Sequence, residues 1–137
     1  MAKIAPYLTF NGNCAEAFDF YADALGGKIT MRMTYGEAPG DMQIPPEHAK
    51  LVMHNALSVG DAELMGADMA GRPYHAPQGI SVMVELADAQ AVHTAASRLA
   101  EGGQVTMPVT ETFWTPAFGM VSDRFGVHWM LSVLVKS

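Results

Sequence analysis

This sequence is short of cysteine, of basic residues and of long apolar runs, and each shortage excludes something. A single cysteine, Cys14, stands in 137 residues, so no intrachain disulfide can form. Eight Lys and Arg oppose fourteen Asp and Glu, for a formal net charge of −6. Binding nucleic acid needs a cationic surplus to meet phosphate, so nucleic acid is not expected as a partner. No apolar run approaches the roughly 20 residues that span a bilayer, and the opening residues hold no apolar signal-peptide core. No membrane association and a reducing cytoplasm are therefore the expectations. The acidic balance suits neutral or cationic small ligands, and suits plain solubility equally well.

What the chain does have is a globular composition, with 50% hydrophobic and 16% charged residues in a length suited to one domain. It also repeats itself. Gly26-Gly27-Lys28-Ile29-Thr30-Met31 returns as Gly102-Gly103-Gln104-Val105-Thr106-Met107, with both glycines, the threonine and the methionine kept. A recurrence at that distance in a chain this long indicates one module used twice.

Lys3 to Phe10 is β-rich, with Pro6 confining it to a strand end or an edge. Asn13 followed by Glu16 reads as a capping box. The helix it opens, Cys14 to Leu25, is apolar at Cys14, Ala17, Phe18, Tyr21 and Leu25. Gly26-Gly27 ends that helix, and Lys28 to Tyr35 reads as a strand. Gly36 to Lys50, with three prolines and no period, reads as a long loop. Leu51 to Val59 and Ala62 to Ala67 form a hairpin turning at Gly60-Asp61.

A linker is expected over 68–78, which is rich in Gly and Pro. Beyond it, Ile80 to Ala87 reads as a strand. Asp88 caps a helix striped by Val92, Ala95, Ala96 and Leu99, which ends at Gly102-Gly103. Strands follow over Gln104 to Thr112, Ala117 to Asp123 and Val127 to Val135. Each half is thus β-α-β-β-β: module one over 1–67 and module two over 79–137. The expected fold class is α+β, with both modules sharing one sheet system and the helices on its outer face.

Four stretches, PYLTFNGNCAEAFDFYADALGG, LVMHNALSVGDAELMGAD, GGQVTMPVTETFWTPAFG and DRFGVHWML, cover almost the whole chain. Together they resemble the vicinal-oxygen-chelate superfamily of glyoxalase I, bleomycin-resistance proteins and extradiol dioxygenases, and within it the PhnB-like branch. Arg124 departs from that pattern, standing where proline is usual in the last turn. The resemblance implies a single glyoxalase-like domain with a cup-shaped mixed sheet, a small-molecule cleft lined by both modules, and a homodimer. In the catalytic relatives, His, Gln and Glu on such strands hold a divalent metal with open positions for substrate oxygens. Carried over, the first-strand position falls within Ala5 to Tyr7, the module-two opening strand offers Ser81, and the last strand offers Met130. The hairpin position falls near Glu63 or Met65. Three of these four cannot bind a hard or borderline metal, so no cofactor is expected. No glycine-rich strand-to-helix loop for a nucleotide is present either.

Among the histidines, His93 lies toward the polar face of its helix, and His48 and His75 sit in Pro-rich loops. His54 and His128 are the candidate catalytic acid/base residues, because strand alternation sets them opposite Asn55 and Leu57, and opposite Trp129 and Leu131. Tyr7, Trp114 and Phe118 are candidates for an apolar, ligand-binding wall, or equally for core and interface packing. Glu63, Met65 and Met130 complete the expected substrate-binding set, with Met53 and Met83 as further pliable lining. Cys14 is expected to pack, although a helix start would lower a thiol pKa. The expectation is a small-molecule-binding cleft without the family metal. The rivals are a metal-dependent enzyme using His54, Glu63 and His128, and a protein binding cationic drugs such as bleomycin.

Overall fold

Each half of the chain lays its own helix on its own four-stranded sheet, and the reasons can be read residue by residue. The computed structural model describes residues 2–40 and 43–134. In the first half, α1 (Cys14–Leu25) buries Cys14, Ala17, Phe18, Tyr21 and Ala24. Its start is not held as the capping pattern predicts, for Asn13 makes no capping hydrogen bond. The carboxylate of Asp68 takes that place. Its Oδ1 accepts from the backbone N–H of Gly12 at 3.0 Å and of Cys14 at 2.9 Å, and its Oδ2 from Val52 at 2.9 Å. A charged acceptor at a helix N-terminus binds those N–H groups more strongly than a neutral amide does. In the second half, α2 (Ala89–Leu99) is capped by Asp88, which accepts from Ala91 N–H at 2.8 Å. It buries the predicted stripe of Val92, Ala95, Ala96 and Leu99.

The first sheet holds β1 (Tyr7–Phe10), β2 (Lys28–Thr34), β3 (Val52–Val59) and β4 (Ala62–Asp68), in the order β1-β4-β3-β2. The second holds β5 (Val82–Leu86), β6 (Gln104–Thr110), β7 (Phe118–Ser122) and β8 (His128–Val133), in the order β5-β8-β7-β6. In each sheet the first strand pairs in parallel with the last, and the other pairings are antiparallel. The fold is α+β, two βαβββ modules with the same strand order. The chain divides into two compact units, Met1–His75 and Ala76–Ser137.

Several strands are shorter than the sequence pattern suggests. The first starts at Tyr7 instead of Lys3, and the sixth ends at Thr110 instead of Thr112. Asp68, expected in the linker, ends β4 and is buried. Val135, the expected end of the last strand, and residues 41 and 42 of the long loop lie outside the described residues. That loop has local order, in short 3-10 turns at Tyr35–Glu37 and Pro46–His48.

The repeated glycine pairs have a physical cause. Gly26 and Gly102 take φ of +68° and +73°, which L side chains resist. A Cβ on Gly27 would stand 2.7 Å from the Ser58 carbonyl oxygen, and one on Gly103 2.4 Å from that of Ser122. Ser58 and Ser122 face Lys28 and Gln104, so the two modules repeat the same close approach.

Beneath α1 lie Phe10, Leu57 and Leu64, with the Phe10 and Phe18 rings edge-on at 6.0 Å. Beneath α2 lie Val121, Trp129 and Leu131. A buried carboxylate ties the second module too. Asp123 accepts from Phe125 and Val127 N–H at 2.8 and 3.0 Å and from the Trp129 indole at 2.8 Å. Arg124, in the turn those bonds fix, lays its guanidinium over the Phe125 ring at 4.7 Å.

Candidate functional site

Side chains alternate along a strand, so the buried set under each helix decides what the opposite face presents. Asn55 and Leu57 of β3 are buried on the α1 side, which turns His54 to the helix-free face. Trp129 and Leu131 of β8 are buried on the α2 side, which turns His128 the same way in the second sheet. The parity argument made from sequence therefore places both histidines.

In the first unit, one register row crosses all four strands on that face: Tyr7, Met65, Ala56, Met31. His54 stands in the next row, opposite Met33. The Tyr7 hydroxyl lies 3.1 Å from His54 Nδ1, and the two rings stack with centroids 5.7 Å apart and planes 29° apart. Burial pushes the Tyr7 phenol above its ordinary pKa, and the nearby Cys14 and Tyr35 add to the shift. The phenol therefore keeps its proton across the neutral range.

Glu63 shares this face but not this cluster. It faces Ser58 across the hairpin, four residues along β3 from His54, about 13 Å at 3.3 Å per residue. Its Oε1 accepts from Lys3 Nζ at 2.9 Å. Met53 is half-buried and falls at the register irregularity between Met33 and Thr34. His93 is exposed on α2, His75 is exposed, and His48 belongs to a 3-10 turn.

In the second unit the corresponding row is made of one residue type. Met83, Met130, Met120 and Met107 follow one another across β5, β8, β7 and β6. His128 lies two residues before Met130 and faces Ser122. Phe118 is buried, whereas Trp114 is half-exposed and packs edge-on against it at 5.4 Å. Phe113 meets Trp114 edge-on at 4.8 Å and is itself 97% exposed.

Sequence reasoning missed Met31, Met33, Met107 and Met120 as members of these faces. The signal was available, because Met31 and Met107 close the repeated hexapeptide. What hid Met31 and Met107 is a register irregularity before each, between Ile29 and Met31 and between Val105 and Met107, which breaks simple alternation.

Cys14 is fully buried. Burial pushes its thiol up to about 12, Asp68 adds to this, and the Asn55 amide and Arg32 oppose it. Asn55 lies near enough to act on the thiol, yet neither of its amide atoms meets a hydrogen-bond partner among the described residues. The downward helix-start effect expected for Cys14 is overruled by desolvation.

The donors at the carried-over metal positions are a phenol (Tyr7), thioethers (Met65, Met130) and Ser81, which precedes β5. These are not the imidazole and carboxylate set of the resemblance. Glu63 is the one carboxylate among those positions, and it is engaged by Lys3. Among the described residues, no three His, Cys, Asp or Glu side chains form a group able to hold a metal ion. Phenol and thioether donors do not fit a hard divalent metal.

Comparison with known proteins adds the following. A family model described as 3-demethylubiquinone-9 3-methyltransferase matches residues 2–132. Protein PA1353 from Pseudomonas aeruginosa is 39% identical in sequence, and its crystal structure matches with a TM-score of 0.88 over 97% of this chain and 98% of that one. A PhnB protein from Bacillus cereus, titled a putative 3-demethylubiquinone-9 3-methyltransferase, is 24% identical, with a TM-score of 0.77 over 97% of this chain and all of that one. Protein YjdN from Escherichia coli (strain K12) is 27% identical over 96% of this chain and 95% of its own length.

Proposed function

The chain belongs to the family described as 3-demethylubiquinone-9 3-methyltransferase, as a PhnB-like member of the vicinal-oxygen-chelate superfamily, and on that premise we propose that it binds a small molecule on the helix-free face of its first sheet. The observation that carries this reading is the Tyr7–His54 pair, standing beside Met31, Met33 and Met65. In the tautomer where the Tyr7 hydroxyl donates to Nδ1, the imidazole carries its N–H on Nε2 and offers that donor to a ligand. Around it, thioethers supply a polarisable surface that adapts to an apolar body. The ligand class that fits is a largely apolar molecule carrying one hydrogen-bond acceptor. His54 makes the polar contact and serves any proton transfer the bound molecule undergoes.

Two further parts belong to this proposal. The divalent-metal site of the family is lost, and the protein is a homodimer whose contact includes Phe113. Methyl transfer, named in the family description, is not part of it. The β1–α1 turn, Asn11-Gly12-Asn13, holds one glycine, and the β5–α2 turn, Ala87-Asp88, holds none. Neither junction supplies a glycine-rich cradle for a nucleotide cofactor.

The test is a ligand screen by protein-observed NMR on wild type, Tyr7→Phe and His54→Ala. Hits of the stated class should weaken about tenfold or more in both variants, the scale of one lost hydrogen bond of about 1.4 kcal/mol. Elemental analysis after exposure to Zn, Mn and Fe(II) should find no stoichiometric retention. Hits that bind both variants as tightly as wild type would sink the assignment of the face, and retained metal would sink the loss of the site.

A further inference from the structure

Methionine is an odd choice for four aligned positions on an exposed strand face. Such faces ordinarily carry polar, β-branched or aromatic residues, because these fit a pleated, half-solvated surface. Here Met83 is 49% exposed, and Met130, Met120 and Met107 are half-buried. The first module shows that the fold itself does not demand this. Its equivalent row reads Tyr7, Met65, Ala56, Met31, so its two thioethers are separated by an alanine. In the second module three neighbouring strands, β8, β7 and β6, each present a thioether in direct register. Directly opposed residues hold their Cβ atoms about 4.5–5.5 Å apart, and methionine's three rotatable bonds let neighbouring sulfurs turn toward a common point.

We propose that Met107, Met120 and Met130, with the imidazole of His128, form a binding site for a soft monovalent cation of the copper(I) and silver(I) class. Thioether sulfur is a soft, uncharged donor that prefers such ions to Zn, Mn or Mg, and imidazole is compatible with it. Neutral donors also favour a single charge, because an ion that gains no anionic ligand loses hydration at a cost that rises steeply with its charge. His128 is placed to join the set, two residues before Met130 on the same face of β8. Glu85, two residues from Met83 on the same face of β5, puts an exposed carboxylate on that face. This site lies on the second sheet alone and is independent of the ligand face proposed on the first.

Silver(I) is the redox-stable probe, added to the full chain carrying Cys14→Ala so that no thiol competes. Calorimetric titration should show one saturable silver ion per chain, unmoved by excess Zn(II). With 13C-labelled methionine methyl groups, the signals of Met107, Met120 and Met130 should shift together while those of Met31 and Met65 stay in place. The double variant Met120→Leu/Met130→Leu, which conserves volume, should lose the binding, and His128→Gln should weaken it. No saturable uptake, methyl shifts spread alike over both sheets, or full binding in the double variant would each overturn the proposal. The methyl readout needs no variant in the row, so a misfolded leucine variant would leave the question decided.

Discussion

Cys14 opens α1, where the helix dipole favours a thiolate, yet it is fully buried and its thiol is pushed up to about 12. In the unfolded chain the thiol ionises near its ordinary 9.0, so the folded state is the one that holds the proton longer. The stabilisation is therefore complete below that value and is lost as pH rises from 9.0 toward 12. At about 1.36 kcal/mol per unit, the loss reaches a few kcal/mol by the top of the window. Urea denaturation across that range should show wild type losing stability faster than Cys14→Ala; parallel curves would refute the account. His54 was readable from sequence because strand parity is a local property. Its contact with Tyr7 was not, because that contact needs β1 to lie beside β4 and β4 beside β3, pairings that no local pattern announces. Asp68 was misread for the same reason: it caps a helix that starts 54 residues earlier in the chain.

At the scale of elements, the second glycine of each pair is the sharpest constraint. Gly27→Ala and Gly103→Ala each press a methyl into the carbonyl oxygen of the adjacent strand, at 2.7 and 2.4 Å before relaxation. Each variant should lose about 1–3 kcal/mol, the usual cost of overpacking, measured as a lower urea midpoint with an unchanged slope. Gly103→Ala should lose more than Gly27→Ala, having the closer approach. Gly40→Ala, with open space around it, is the neutral reference. Helices were legible because both apolar stripes are regular and Asp88 is a strong cap. Strand ends were less so, since the residues just outside β1 and β6 keep strand-like composition, while Thr112 N–H, for one, turns to the Thr115 carbonyl at 2.9 Å instead of to a neighbouring strand. β6 tolerates Pro108 because it is an edge strand, a fact that belongs to the sheet order and not to its own sequence.

At the scale of the whole molecule, the doubled module was legible from six residues, because the same close approach must be solved twice. The modules differ where packing differs. Gly66, whose Cβ would meet the Phe18 ring at 2.8 Å, holds the register position that buried Leu131 holds in the second sheet. Such an exchange, one side chain filling the space another vacates, has no signature in a single sequence. The proposed homodimer makes its own prediction. Phe113 is 97% exposed, and burying such a side chain is worth about 1.5–3 kcal/mol. Sedimentation velocity should find wild type dimeric and Phe113→Ser shifted toward monomer; a monomeric wild type at micromolar concentration would end that reading.

The parallel pairing of the first strand with the last in each sheet also sets an order of events during synthesis. A chain leaving the ribosome exposes β1 well before β4, so Tyr7–Phe10 waits unpaired until Asp68 has emerged. The meander of β2, β3 and β4 joins neighbours in sequence, and the distant β1 closes last, since long loops must be ordered before it gains contacts. The second sheet repeats the delay, with β5 waiting for β8 at the far end of the chain. The first sheet thus has all of its strands in hand while the second is still being translated, and a nascent chain stalled between the two should already resist protease over its first half.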